Sequence, residues 1–176
     1  MFDEITESVM DSAVSSLECD AMDDVVSRMR EELSEIEPDP TLSNEDIFKL
    51  INLESIVTDE CQSYQNGVSD DINDTIDSEA CYTEDCMDII SEVGISDALE
   101  AYLDLSGGSI NIGNIPDAHD IAVAVLYQNI NIDFNDVVAA FFERLEDDCD
   151  IEDVCDQFRA GELKEDALTE GEEHEE

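Results

Sequence analysis

Apolar residues recur at every fourth position through residues 5–36: Ile5, Val9, Ala13, Leu17, Ala21, Val25, Met29 and Leu33, with Met22, Val26 and Ile36 widening the row. That spacing predicts one long amphipathic helix of ~48 Å at 1.5 Å per residue. Pro38 and Pro40 end it, since proline cannot donate to a helix ladder. Ser43, with Asp46 three positions on, has the form of a helix start, and Ile47, Leu50, Ile51 and Leu53 carry a short helix to about Val57. Gln65-Asn66-Gly67 reads as a turn. Residues 70–93 predict a further helix with two faces. Ile72, Ile76, Ala80, Met87 and Ile90 fall on one, and Asp70, Asp74, Asp77, Glu84, Asp85, Asp88 and Glu92 on another, because two residues are ~200° of rotation.

Gly94 suits the C-terminal cap of that helix, and a short helix is expected from Ser96 through Leu105. Ser106-Gly107-Gly108 and Gly113-Asn114 bound a flexible or β-like stretch containing Ile110 and Ile112. Pro116-Asp117 opens a helix whose Ile121, Val123, Val125 and Leu126 are expected inside. Asp133 is expected to cap a helix from Phe134 to about Glu146, and a last short helix covers residues 151–158. The acidic tail after Gly161 is expected to be disordered. The fold class is therefore mainly α, with a long N-terminal amphipathic helix and a disordered acidic C-terminal tail. The expected organisation is an N-terminal extension over 1–60, a helical domain over 61–160 and the tail over 161–176.

Charge changes this picture from a helical protein to an unusual one. The 176 residues carry 50 aspartates and glutamates against 6 lysines and arginines, a formal charge of −44. Between Lys49 and Arg144 there is no lysine or arginine. Disordered acidic chains are poor in apolar residues, whereas 42% of this chain is hydrophobic, so the charge sits on something that folds. Self-repulsion opposes compaction, and the same field attracts basic surfaces. Stability is accordingly expected to fall as pH rises through the carboxylate range and to recover with salt.

Several function classes lack their chemistry. No apolar run approaches the ~20 residues of a membrane span, and Met-Phe-Asp-Glu is not the start of a secretory signal. A cytoplasmic protein that anionic membranes repel is expected. Cys81/Cys86 and Cys149/Cys155 are spaced C-x4-C and C-x5-C, with both histidines distant, which is not a zinc pattern. Together with Cys19 and Cys61 they are expected to be reduced, partly buried thiols. The glycine-rich segment has no phosphate-loop lysine and no dinucleotide spacing, and no calcium loop is present. His119 is expected to be a solvated helix residue. No catalytic residue, metal or cofactor is expected, and the protein is not expected to be an enzyme.

Ordinary solvated helix faces mix signs through i,i+4 pairs. The acidic row of residues 70–92 contains no cation. Duplex DNA carries one charge per ~1.7 Å of axis, so 44 charges match roughly 75 Å of duplex. One helix row gives a carboxylate per ~5.4 Å turn, and several helices side by side would approach phosphate density.

A helix carrying Asp88-Ile89-Ile90-Ser91 is followed by a loop ending Pro116-Asp117-Ala118-His119-Asp120-Ile121. Then come Tyr127, the connector Ile130-Asn131-Ile132-Asp133-Phe134, and a helix ending Glu143-Arg144-Leu145-Glu146 before an acidic tail. In order and spacing these pieces resemble the Ocr family of phage anti-restriction proteins, which imitate DNA. Extra residues around 99–112 and a slightly shorter helix after Asp120 distinguish this chain, and residues 1–60 have no counterpart. The resemblance implies an elongated helical homodimer that occupies the DNA groove of type I restriction–modification enzymes and of BREX-type methyltransferases, binding no nucleic acid itself. It implies an anionic surface of Asp70, Asp74, Asp77, Glu84, Asp85, Asp88, Glu92, Asp117, Asp120, Asp133, Asp136, Glu143 and Glu146, with Ile90 and Ile121 at the dimer contact. Two other classes fit the charge: an acidic chaperone that sequesters a basic partner, and a halophilic protein whose acids serve solubility in salt.

Overall fold

The computed structural model describes residues 1–108, 115–145 and 148–164. Ile110, Ile112, Glu146 and the tail from residue 165 lie outside the described residues. Among the described residues the chain is mainly helical and has no strand. Two compact units are distinguishable: one of Met1–Ala13 with Asn66–Val137, the other of Val14–Gln65 with Val138–Glu176.

The first helix, α1 (Phe2–Ser34), gives residues to both units. Its every-fourth apolar row is buried as expected, Ile5 at 9% exposed and Val9 through Leu33 at 0%. A row of that spacing drifts ~40° per step around a helix of 3.6 residues per turn. Over 33 residues the apolar line winds instead of holding one face, and one helix can serve two cores.

In the first unit follow α4 (Gln65–Glu79), α5 (Thr83–Val93), α6 (Ile95–Leu105), α7 (Ala118–Asn129) and the start of α8 (Phe134–Leu145). The helices α5, α6 and α7 pack on one another. Ile5, Val9, Ile76, Ile89, Ile90, Val125 and Leu126 form the bulk of the core. Ala98 and Ala101 of α6 and Ala122 and Ala124 of α7 join the same core at 3% exposed or less. Small side chains at a helix contact shorten the distance between axes. The expected inner set of α7 therefore needs correction: Val125 and Leu126 are buried, but Ile121 and Val123 are half-buried and the alanines take the inner positions.

Three further expectations are revised. The helix over residues 70–93 is two helices. At the end of α4 the amides of Ala80 and Cys81 donate to Asp77 and Ser78, a tightened three-residue pattern, and Tyr82 turns extended (φ −105°, ψ 145°). Glu84 and Asp85 in the next turn favour a fresh helix N-terminus through the helix dipole. The turn at residues 65–67 is absent: a 3₁₀ turn, Gln62–Tyr64, runs directly into α4, and Gly67 is helical. Instead of one helix to Val57 there are two, α2 (Asn44–Ile51) and α3 (Leu53–Cys61), hinged at Asn52, which adopts the left-handed conformation (φ 52°) that asparagine tolerates.

The second unit contains α2, α3 and α9 (Cys149–Ala160), with α2 packed on both others. Ser43 and Asp46 form the expected capping box on α2. Asp46 accepts from the Ser43 hydroxyl and amide, and these hydrogen bonds hold its carboxyl below the usual 3.8. Replacing Ser43 by Ala is expected to cost about 1 kcal/mol in a urea melt. Arg159 of α9 donates to the Leu42 carbonyl, to Asn44 and to Asp156, tying the start of α2 to α9.

Cys61, Cys86 and Cys155 are buried, and Cys19, Cys81 and Cys149 exposed. Burial pushes the Cys61 thiol up to about 12 and the Cys155 thiol to about 11. Thiolate is the reactive form, so a thiol reagent at neutral pH should label three of the six cysteines rapidly. The other three should react only on denaturation, and rapid labelling of all six would contradict the packing.

Candidate functional site

All six basic side chains belong to the second unit. Arg28 lies 3.2 Å from Glu32, Lys49 2.6 Å from Glu45, Arg144 3.8 Å from Glu18, Arg159 2.6 Å from Asp156 and Lys164 2.6 Å from Glu37. Arg30 donates to Gln157 at 2.7 Å. These cations serve the unit's own carboxylates and helix joins. The first unit has four acids in Met1–Ala13 and sixteen in Asn66–Val137, and contains no lysine or arginine.

The expected anionic residues fall mostly there. Asp70, Asp74 and Asp77 keep one face of α4, at i, i+4 and i+7. Glu84, Asp88 and Glu92 keep one face of α5, with Asp85 beside them. The break at residues 80–82 prevents the two rows from forming one continuous ruler. Packing brings other carboxylates to the break. His119 Nε2, at the start of α7, stands 3.6 Å from Asp77 Oδ1. The Tyr127 phenol, farther along α7, is pushed up by burial and then by the charges of Asp77 and Asp74. The buried Cys86 thiol is pushed up chiefly by burial, and the charges of Asp117 and Asp85 add to it. The end of α4, the start of α5 and the start of α7 thus gather Asp77, Asp85, Asp117 and Asp120.

Asp117 and Asp120 form a capping box: Asp117 Oδ1 accepts the Asp120 amide at 3.0 Å and Asp120 Oδ2 the Asp117 amide at 3.2 Å. With His119 they bring three ligand-type atoms within 4.8 Å of one another. Both carboxylates already accept backbone N–H groups, which accounts for the cluster. Asp133 accepts the amide and the side-chain N–H of Asn135, each at 2.8 Å, and so caps α8. Asp136 is exposed on α8 in the first unit, while Glu143 is exposed on the part of α8 belonging to the second. Of the described anionic residues only Asp85 is half-buried; the others are exposed. No buried residue among those described is polar or charged, as expected where desolvating a carboxylate is costly.

Ile90 is 7% exposed and Ile121 half-buried, both within the core of their own unit. Among the described residues of this unit the most exposed aliphatic side chains are Met87 at 53%, Ile95 at 70%, Leu105 at 59% and Ile115 at 78%. The sequence gives their identity, but the exposure of Ile95 and Leu105 depends on α6 turning its alanines inward. Among the described residues no helix is long and apolar enough to cross a membrane.

Fold and surface together define a helical protein with one compact unit that holds twenty acids, one histidine and no lysine or arginine. Comparison with family profiles, curated proteins and solved structures gives no match to the chain.

Proposed function

We propose that this protein is a phage-encoded DNA mimic that inhibits a host defence enzyme by occupying its DNA-binding cleft. The enzyme is of the type I restriction–modification or BREX methyltransferase class, and the inhibitor acts in the host cytoplasm without catalysis. The observation that carries the reading is the first unit, with twenty acids and no lysine or arginine. Its carboxylates come from several helices at once, as phosphate-like density requires. An elongated arrangement with charges at duplex spacing belongs to the proposal.

The test is displacement. Increasing protein should release labelled duplex DNA from a type I enzyme or a BREX methyltransferase, and its apparent affinity should fall as salt rises, as DNA affinity does. If DNA stayed bound to both classes at saturating protein, the proposal would be lost.

A homodimer is part of the same reading. Four large aliphatic side chains and Tyr82, each more than half exposed among the described residues of one highly charged unit, support a contact that covers them. Sedimentation at moderate salt should give twice 19.5 kDa; a monomer throughout the micromolar range would remove the dimer.

A further inference from the structure

The break between α4 and α5 leaves a groove in the first unit. Its apolar lining is Met1, Ile5 of α1 and Ile89 of α5, 42%, 9% and 2% exposed. Tyr82, at the break itself, lines the groove and is 74% exposed. Glu79, Asp85 and Asp88 line it as well. Glu79 accepts the Ser8 hydroxyl at 2.9 Å through Oε1, and Asp85 and Asp88 stand one helical turn apart on α5. An exposed aromatic ring, an apolar lining and carboxylates in one groove are complementary to a single kind of side chain. It must have an apolar stem, a flat cationic head able to lie on a ring, and donors for more than one carboxylate. Arginine has all three, whereas lysine ends in a compact, strongly hydrated ammonium. This unit has no arginine or lysine, and the Met1 ammonium, the cation of the residues lining the groove, stands 3.7 Å from Glu4.

We propose that the groove at the α4–α5 break binds an arginine side chain of the protein partner. The stem lies along Ile5 and Ile89, and the guanidinium stacks on Tyr82 and reaches Asp85 and Asp88. The proposal rests on the reading of the partner as a protein with a basic cleft. It adds one discrete, shape-selective contact to a surface otherwise defined by charge density.

The probe is a capped Ala-Arg-Ala tripeptide, with its lysine counterpart, titrated into the full-length protein at moderate salt and followed by amide NMR shifts. Circular dichroism serves as the check on folding. Saturable shifts around Tyr82 and Asp88 are expected with the arginine peptide, and weaker binding with the lysine peptide. Tyr82→Ala should weaken arginine binding about threefold to fivefold, whereas Tyr82→Phe, which keeps the ring, should stay within about twofold. Asp85→Asn with Asp88→Asn should weaken it about tenfold. The equal-charge pair Asp97→Asn with Asp104→Asn, on α6 of the same unit, should have much less effect. Replacing Tyr82 removes no carboxylate, so its two variants decide the matter even if the double aspartate variant fails to fold. An unchanged affinity for Tyr82→Ala, or equal losses from the two aspartate pairs, overturns the groove. If the groove fails while duplex DNA is still displaced from its enzyme, the proposed function stands without it. If Tyr82-dependent arginine binding holds but DNA is not displaced, the function falls and an arginine site remains.

Discussion

The melting temperature of this protein is expected to rise by on the order of 10 °C as ionic strength goes from ~0.01 M to ~1 M, while the Debye length falls from ~30 Å to ~3 Å. The cause is the charge of −44 held on a folded chain. Repulsion among carboxylates is stronger in the folded state than in the expanded one, and it is screened by salt. The pH dependence at low salt follows in sign. Each carboxylate that ionises adds repulsion that folding must overcome, so stability falls as pH rises from 4 toward 7, where about one unit covers most of a group's titration. Two groups run the other way. Hydrogen bonds from Thr41 hold Asp39 below 3.8, as those from Ser43 hold Asp46. A lowered folded value contributes stability above the unfolded value and loses it as pH falls through the folded one. Two such carboxyls against fifty acids leave repulsion in control above pH ~4. Melts at four salt concentrations and two pH values would measure both dependences. A midpoint indifferent to salt would mean that the carboxylates are neutralised or widely separated.

What the sequence made legible divides by the range of the forces involved. The capping box at Ser43/Asp46 and the helix start at Pro116-Asp117 are local events, and both formed; the pairing of Asp117 with Asp120 was not read. The long apolar row of α1 was legible because periodicity over 33 residues outweighs any single position. The end of α4 was not, because no glycine or proline marks residues 80–82. The available signal was the acidic pair Glu84 and Asp85, which suits a first helical turn and was read only as part of a continuous acid row. The turn at residues 65–67 was over-read. Glycine in a helix costs only ~1 kcal/mol, and the chain leaving α3 already had helical geometry at Gln62 and Gln65. Alanines displaced Ile121 and Val123 from the inner face of α7 because α6 packs on it, a tertiary choice that local pattern does not encode. The cation-free run was visible in the sequence. Its coincidence with a compact unit was not, because Met1–Ala13 joins Asn66–Val137 from the far end of the chain.

Replacing Asp74, Asp77, Asp85 and Asp88 together by Asn is expected to reduce the ability of the protein to displace DNA by a hundredfold or more. Each close charge pair at a strongly electrostatic interface is worth ~1.5 kcal/mol or more, so four lost pairs amount to several kcal/mol even with partial redundancy. The four belong to the end of α4 and the start of α5, where Asp117 and the His119–Asp77 pair also gather. Asparagine keeps size and polarity, and of the four side chains only Asp85 is even half-buried, so the fold should survive; lower repulsion should, if anything, raise its melting point. Single variants say little, because a surface of redundant charges tolerates scattered losses. The comparison that decides is with an equal-charge set in the second unit, Asp20, Asp23, Glu54 and Asp59, all exposed, each changed to its amide. Both variants carry the same net charge, so the long-range attraction that sets association rates is nearly the same in each. A loss confined to the first set, expressed mainly as faster dissociation, would locate the DNA-like surface on α4 and α5. Equal losses from both would mean that charge acts only in bulk, and the structured surface on these two helices would have to be abandoned.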